Sequence, residues 1–158
     1  MSDLHPAPRI QRADFGDPAL AAFLQAHLDD LAPTAPAESR HALAVDLLQA
    51  PGVRLWVALE GTMIIGTGAL AAMQVGHEEV KSMRTEPRCR GRGVARRLLE
   101  HLVRDARQRD VGQLSLETGS HDFFASARGL YAAAGFQLCP PFGSYREDPN
   151  SVFMTKHL

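Results

Sequence analysis

The chain has 158 residues, with 17 Lys+Arg against 18 Asp+Glu, a net charge of −1, 45% hydrophobic and 22% charged residues. This is ordinary globular composition, and the length suits one domain over residues 1–158 that buries a core without staples. The near-zero charge argues against a nucleic-acid partner, and no apolar run approaches the roughly 20 residues of a membrane span, so no membrane partner is expected.

In chain order, Arg9 to Arg12 reads as a short strand. Asp17-Pro18 reads as an N-cap followed by proline at the first helical position, and Leu20, Phe23, Leu24, Leu28 and Leu31 share one helical face. A second helix is expected from about Ala37 to Gln49, burying Leu43 and Leu47 and ending at Pro51-Gly52. Val53 to Leu59 and Met63 to Val75, joined by a short turn, read as a hairpin. Glu78 to Thr85 reads as a third paired strand. Val94 to Arg109 is the clearest helix, with Val94, Leu98, Leu102 and Ala106 as its apolar stripe. A strand over Val111 to Thr118, a helix over Phe123 to Ala134 closed by Gly135, and strands at Phe136 to Cys139 and Val152 to Lys156 complete the chain. The order predicts an α/β (α+β) domain built on one mixed sheet.

The charge is unevenly spread. Lys81 to Arg109 carries ten positive residues and three acids. Within it, Arg88-Cys89-Arg90-Gly91-Arg92-Gly93-Val94-Ala95 joins a strand to the clearest helix. Glycines there let the backbone turn and approach a ligand, successive N–H groups make an oxyanion nest, and the helix adds its positive end. The simpler alternative is a plain strand-to-helix turn with solvated arginines. No GxxxxGK[ST] is present. Gly66-Thr67-Gly68-Ala69-Leu70-Ala71 matches a dinucleotide fingerprint in letters, but no helix follows it, so those glycines read as relief for close packing. Cys89 and Cys139 stand in no ligand spacing, and no metal is expected. The polar start of the chain points to a cytoplasmic protein.

Arg90-Gly91-Arg92-Gly93-Val94-Ala95 matches [QR]-x-x-G-x-[GA], and Leu130-Tyr131-Ala132-Ala133-Ala134-Gly135-Phe136 matches L-Y-x-x-x-G-F. With this ordered pair the chain resembles the GCN5-related N-acetyltransferase (GNAT) family, which uses acetyl-coenzyme A. The resemblance implies a mixed, mostly antiparallel sheet of about six to seven strands, splayed between its central strands and flanked by about four helices. It places the pyrophosphate of coenzyme A on the N–H groups of Gly91 to Ala95. Arg88, Arg90 and Arg92 face it, and Arg96 and Arg97 reach the cofactor's other phosphate. The pantetheine arm would run along Met83-Arg84-Thr85, pairing with the backbone of Met83 and Thr85, and the Met83 N–H would polarise the thioester carbonyl.

The same resemblance makes Tyr131 the acid for the departing thiolate; otherwise Tyr131 is a half-buried aromatic closing the helix on the sheet. Glu79 is the first choice of base, and Glu117 on the next strand the second. Glu79 could instead be a solvated strand residue paired with Lys81. Strand alternation predicts Glu79, Lys81, Met83 and Thr85 on one face. His77 titrates in a useful range but reads as an exposed turn residue. Family members commonly carry an asparagine where this chain has Phe124, so that cofactor contact is absent or supplied by Ser126 or Ser120.

The stretch from Cys139 to Met154 is expected to carry acceptor specificity through Tyr145 and Arg146, unless it is only a structured hairpin loop. Arg146 together with Arg84 suggests an anionic group on the acceptor. The expected reaction is acetyl transfer to a primary amine by direct attack, the acceptor being a small molecule such as an amino acid. A protein N-terminus or lysine is the alternative acceptor, and a non-catalytic acyl-coenzyme A binding module the alternative class. The family also makes a homodimer possible.

Overall fold

The computed structural model describes residues 5–39 and 45–158. Its centre is a seven-stranded sheet in the order β1-β2-β3-β4-β5-β7-β6. The strands are β1 (Arg9–Arg12), β2 (Val53–Glu60), β3 (Met63–Gln74), β4 (His77–Thr85), β5 (Gln113–Gly119), β6 (Gln137–Leu138) and β7 (Ser151–His157). Every neighbouring pair is antiparallel except β4 and β5, which run parallel. Among the described residues three α-helices flank the sheet, rather than about four: α1 (Pro18–Leu31), α2 (Val94–Gln108) and α3 (Ala125–Ala133).

The N-cap at α1 forms as the sequence dictates, with Asp17 Oδ1 accepting the Ala19 N–H at 2.9 Å. Leu20, Phe23 and Leu24 then pack onto one face of the sheet with Leu55, Val57 and Ile64. The helix expected over Ala37 to Gln49 is replaced at both ends by single 3₁₀ turns, Ala37–Ser39 and Leu47–Gln49. Its middle, with Leu43, lies outside the described residues. Leu47 is 54% exposed while Leu48 is 1% exposed. The tight turn leading into β2 directs Leu48, not Leu47, into the apolar layer beneath α1.

On the opposite face α2 buries Val94, Leu98, Leu102 and Ala106, the predicted stripe, together with Leu99 and Val103. Burial of Leu98 and Leu102 contributes about 2 kcal/mol each. The helix lies so close to β3 that a Cβ on Gly66 would stand 2.8 Å from Leu98 Cδ1 and 2.9 Å from Val94 Cγ1. The Gly66–Gly68 pair is therefore a seat for α2 within one unbroken strand, and it relieves helix packing as much as strand packing.

The parallel pair β4–β5 is short. It comprises only His77↔Gln113, Glu78↔Leu114 and Glu79↔Ser115, after which β4 continues to Thr85 and β5 to Gly119 without pairing to each other. This is the expected splay. Its closed end is clamped by Arg109, which donates to both oxygens of buried Glu78 at 2.8 Å, a bidentate charge-assisted contact.

Candidate active site

The site begins at an irregularity in β4. Thr67 pairs with Arg84 and Ala69 with Lys81, so Ser82 and Met83 together oppose Gly68. Ser82 takes a left-handed φ of 54°, and its carbonyl accepts the Thr67 hydroxyl at 2.8 Å. This is a β-bulge, and the extra residue resets the alternation of the strand. Glu79 and Lys81 face the C-terminal loop. Met83 crosses to the α2 side, its sulfur 2.8 Å from where a Gly68 Cβ would lie. Arg84 returns to the α1 side, pairing with Asp30 and lying over the Phe23 ring at 5.3 Å. The common face expected for Glu79, Lys81, Met83 and Thr85 is thus broken at Ser82.

Three cavities follow one another along the splay. The first, about 500 Å³, is lined by Met83, Arg84, Thr85, Arg90, Gly91, Gly93, Val94, Ala95, Arg96 and Tyr131. Of the residues expected to hold a cofactor, Arg88, Arg92 and Arg97 are not among its walls, and Arg92 is paired elsewhere. The Arg92 guanidinium donates to Glu60, at the C-terminal end of β2, at 3.1 Å. Gly91 and Gly93 adopt φ of 78° and 79°, which side-chain-bearing residues rarely do. Gly93 caps α2 without any side-chain acceptor, so the first N–H groups of the helix are free to meet an anion at the cavity wall. Ser126 lines this cavity, whereas Ser120 is committed to the Pro149 carbonyl at 2.6 Å.

The second cavity, about 130 Å³, is the gap between the splayed strands. Glu79, Lys81 and Met83 form one wall, Glu117 and Gly119 the other, and Tyr131 of α3 and Phe124 just before that helix close it. It shares Met83, Phe124 and Tyr131 with the first cavity, as well as His27 and Leu31 from the last turns of α1. The third cavity, about 740 Å³, lies beneath the loop before β7 and is lined by Glu38, Glu79, Lys81, Tyr145, Arg146 and Asp148 among others. Glu79 and Lys81 belong to both the second and the third. Arg146 and Arg84 do not converge as the sequence suggested. They line different cavities, because the bulge sends Arg84 to α1.

Electrostatics separate the two candidate bases. Burial lifts the Glu117 carboxyl from 4.5 to about 7; Glu79 and Asp148 add to the rise and Lys81 opposes it. Glu79 is held in a closed triangle. Tyr145 Oη donates to Glu79 Oε2 at 2.5 Å, Lys81 Nζ donates to the same oxygen at 3.2 Å, and Lys81 Nζ donates to Tyr145 Oη at 3.1 Å. Burial, then the Glu117 charge, raises Tyr131 above the usual phenol value, so it stays protonated throughout the neutral range. His77 is not the exposed turn residue expected: it is half-buried, and its Nε2 meets Ser115 Oγ at 2.7 Å.

Sequence reasoning missed His27 and Leu31 as walls of the gap. Nothing in the letters of α1 shows that its last turns roof β4. That placement depends on the Asp30–Arg84 pair and Phe23, which are contacts across more than fifty residues.

The family model for the Acetyltransferase (GNAT) family matches residues 20–136. A Bacillus subtilis protein named uncharacterized N-acetyltransferase YsnE is 45% identical over 139 residues, 88% of this chain and 92% of its own. A protein from Azospirillum brasilense named IAA acetyltransferase is 41% identical over 124 residues, 78% of this chain and 80% of its own. Among solved structures, a Klebsiella pneumoniae protein assigned, not proven, as an acyl-CoA N-acyltransferase superposes with a TM-score of 0.79 at 33% identity, covering 96% of this chain and 97% of that one. With the splayed sheet, the bulged β4 and the glycine loop already in place, the chain belongs to the GNAT family of N-acetyltransferases.

Proposed function

We propose that the protein transfers an acetyl group from acetyl-coenzyme A to the primary amine of a small molecule by direct attack. The observation that carries this reading is the series of three cavities, with Glu117 and Tyr131 both lining the narrow middle one. The first cavity fits a coenzyme A donor. Uncapped helix N–H groups, Arg90 and Arg96 suit a pyrophosphate, and the unpaired edge of β4 over Met83–Thr85 suits an amide-bearing arm. When bound, acetyl-coenzyme A supplies an acetyl group activated as a thioester.

The chain's own residues supply the proton transfers. An ammonium entering from the third cavity must lose a proton to become a nucleophile, and Glu117, near half-ionised at neutral pH, is suited to take it. Glu79 is engaged by Tyr145 and Lys81, so it positions the acceptor wall while Glu117 acts as base. Tyr131 holds a proton at its phenol oxygen on the donor side, ready for the leaving sulfur. The Met83 N–H, on the splayed edge, would polarise the thioester carbonyl. Arg146 is placed to meet a carboxylate on the acceptor, as an amino acid carries.

An acetyl-transfer screen over amines, amino acids and peptides, read by free thiol release, tests the proposal. Turnover with small amines supports it. Turnover confined to peptides would move the acceptor to a protein, and donor binding without turnover on any acceptor would leave a binding module.

A further inference from the structure

The two adjacent phenylalanines at the start of α3 occupy different parts of the donor path. Phe124 lines both the first cavity and the gap. Its ring lies against Gly119, where a Cβ would come 2.1 Å from Cδ2, so the bare glycine backbone seats it. Phe123 lines the first cavity only, together with Arg90, Gly91, Gly93 and Arg96, the phosphate-suited end. It is 46% exposed, an unusual position for so large an apolar ring. It is also held in place: the Phe123 and Phe124 rings meet edge-to-face, 5.0 Å apart at 84°. Its backbone N–H is fixed by the His121 ring nitrogen at 3.0 Å.

A flat aromatic face, immobilised from behind, open in front and beside a cluster of phosphate-suited groups, matches one kind of ligand group. That group is a planar heteroaromatic ring a short link beyond a diphosphate. We propose that Phe123 is a stacking platform for the purine base of the donor, and so a residue that selects the nucleotide-bearing cofactor over shorter pantetheine thioesters. This inference rests on the coenzyme A reading of the first cavity. Stacking of a base on an aromatic side chain is sequence-tolerant, needs no hydrogen bonds from the protein, and draws on the polarizable face of the ring. The positive rim of Arg90 and Arg96 would hold the phosphates while the ring holds the base.

The test compares two ligands on two variants. Coenzyme A carries the nucleotide; 4′-phosphopantetheine keeps the arm and one phosphate but lacks the adenosine. By calorimetry, Phe123→Ala is expected to weaken coenzyme A binding by roughly 5- to 150-fold and to leave 4′-phosphopantetheine unchanged. Phe123→Trp, which restores a platform, should recover coenzyme A affinity. Unchanged coenzyme A affinity in Phe123→Ala overturns the proposal, and so does an equal loss for both ligands, which would make Phe123 a general wall of the cavity. A wild-type protein that binds neither ligand refutes the donor reading itself and this inference with it. Wild-type binding of coenzyme A with no Phe123 effect refutes this inference alone. Thermal unfolding of each variant in the absence of ligand checks that the fold is intact.

Discussion

Replacing Glu117 by glutamine should make the protein more stable and less active, with both effects set by one half-buried carboxyl. The side chain stands in the splay, where burial raises its pKa from 4.5 to about 7. Below pH 4.5 the group is protonated in the folded and unfolded chains alike, so it contributes no difference. Between 4.5 and 7 the unfolded chain loses the proton while the folded chain keeps it, and stability falls as pH rises. Above 7 both forms are ionised and the full penalty applies. The displacement corresponds to about 3 kcal/mol, at roughly 1.4 kcal/mol per tenfold change in the proton equilibrium. Glu117→Gln removes the charge and keeps the shape. Chemical denaturation should therefore show no gain over wild type near pH 4, a growing gain through pH 5–7, and a plateau of up to about 3 kcal/mol above pH 8. Activity should move the other way. The rate should fall by about 10²- to 10⁴-fold, the span a positioned base commonly supplies, and the acidic limb near pH 7 should vanish. A variant no more stable than wild type at pH 8 would refute the desolvated-carboxylate argument. A variant that keeps the acidic limb would remove Glu117 as base; loss of that limb in Glu79→Gln would then assign the role to Glu79.

The remaining predictions concern the donor path. Gly93→Glu should abolish coenzyme A binding by calorimetry, because Gly93 sits at φ 79° at the head of α2 and a carboxylate there would occupy the anion seat. Tyr131→Phe should lower kcat by at least tenfold while changing donor affinity little, since only the leaving sulfur needs the phenol proton; an equal loss of both would make the ring purely structural. Gly119→Ala should lower stability by about 1–3 kcal/mol, read as a drop in Tm, because its Cβ would come within 2.9 Å of three Phe124 ring atoms.

The local elements were legible in the sequence because local physics dictates them. The Asp17-Pro18 cap, the Val94–Leu98–Leu102–Ala106 stripe and the positive-φ glycines at 91, 93 and 135 each follow from side-chain chemistry within a few residues. The anion loop was legible for the same reason, since a strand end, two glycines, several arginines and a helix start are contiguous. Periodicity failed where an insertion resets it. The bulge at Ser82 is stabilised by Thr67, fifteen residues away, so alternation along β4 could not show that Met83 and Arg84 exchange faces.

The choice between Glu79 and Glu117 lay further out of reach. Both are glutamates on strands, and their letters are equivalent. Lys81 and Tyr145 engage one of them and burial lifts the pKa of the other, and those partners come from β4 and from a loop more than sixty residues away. The chain's own pattern therefore determined a mixed sheet and a glycine-rich turn into α2, while the splay followed from the family resemblance. Which carboxyl is engaged by Lys81 and Tyr145, which arginines line the first cavity and which helix roofs the gap were decided only by tertiary structure, because burial and pairing are properties of neighbours distant in sequence.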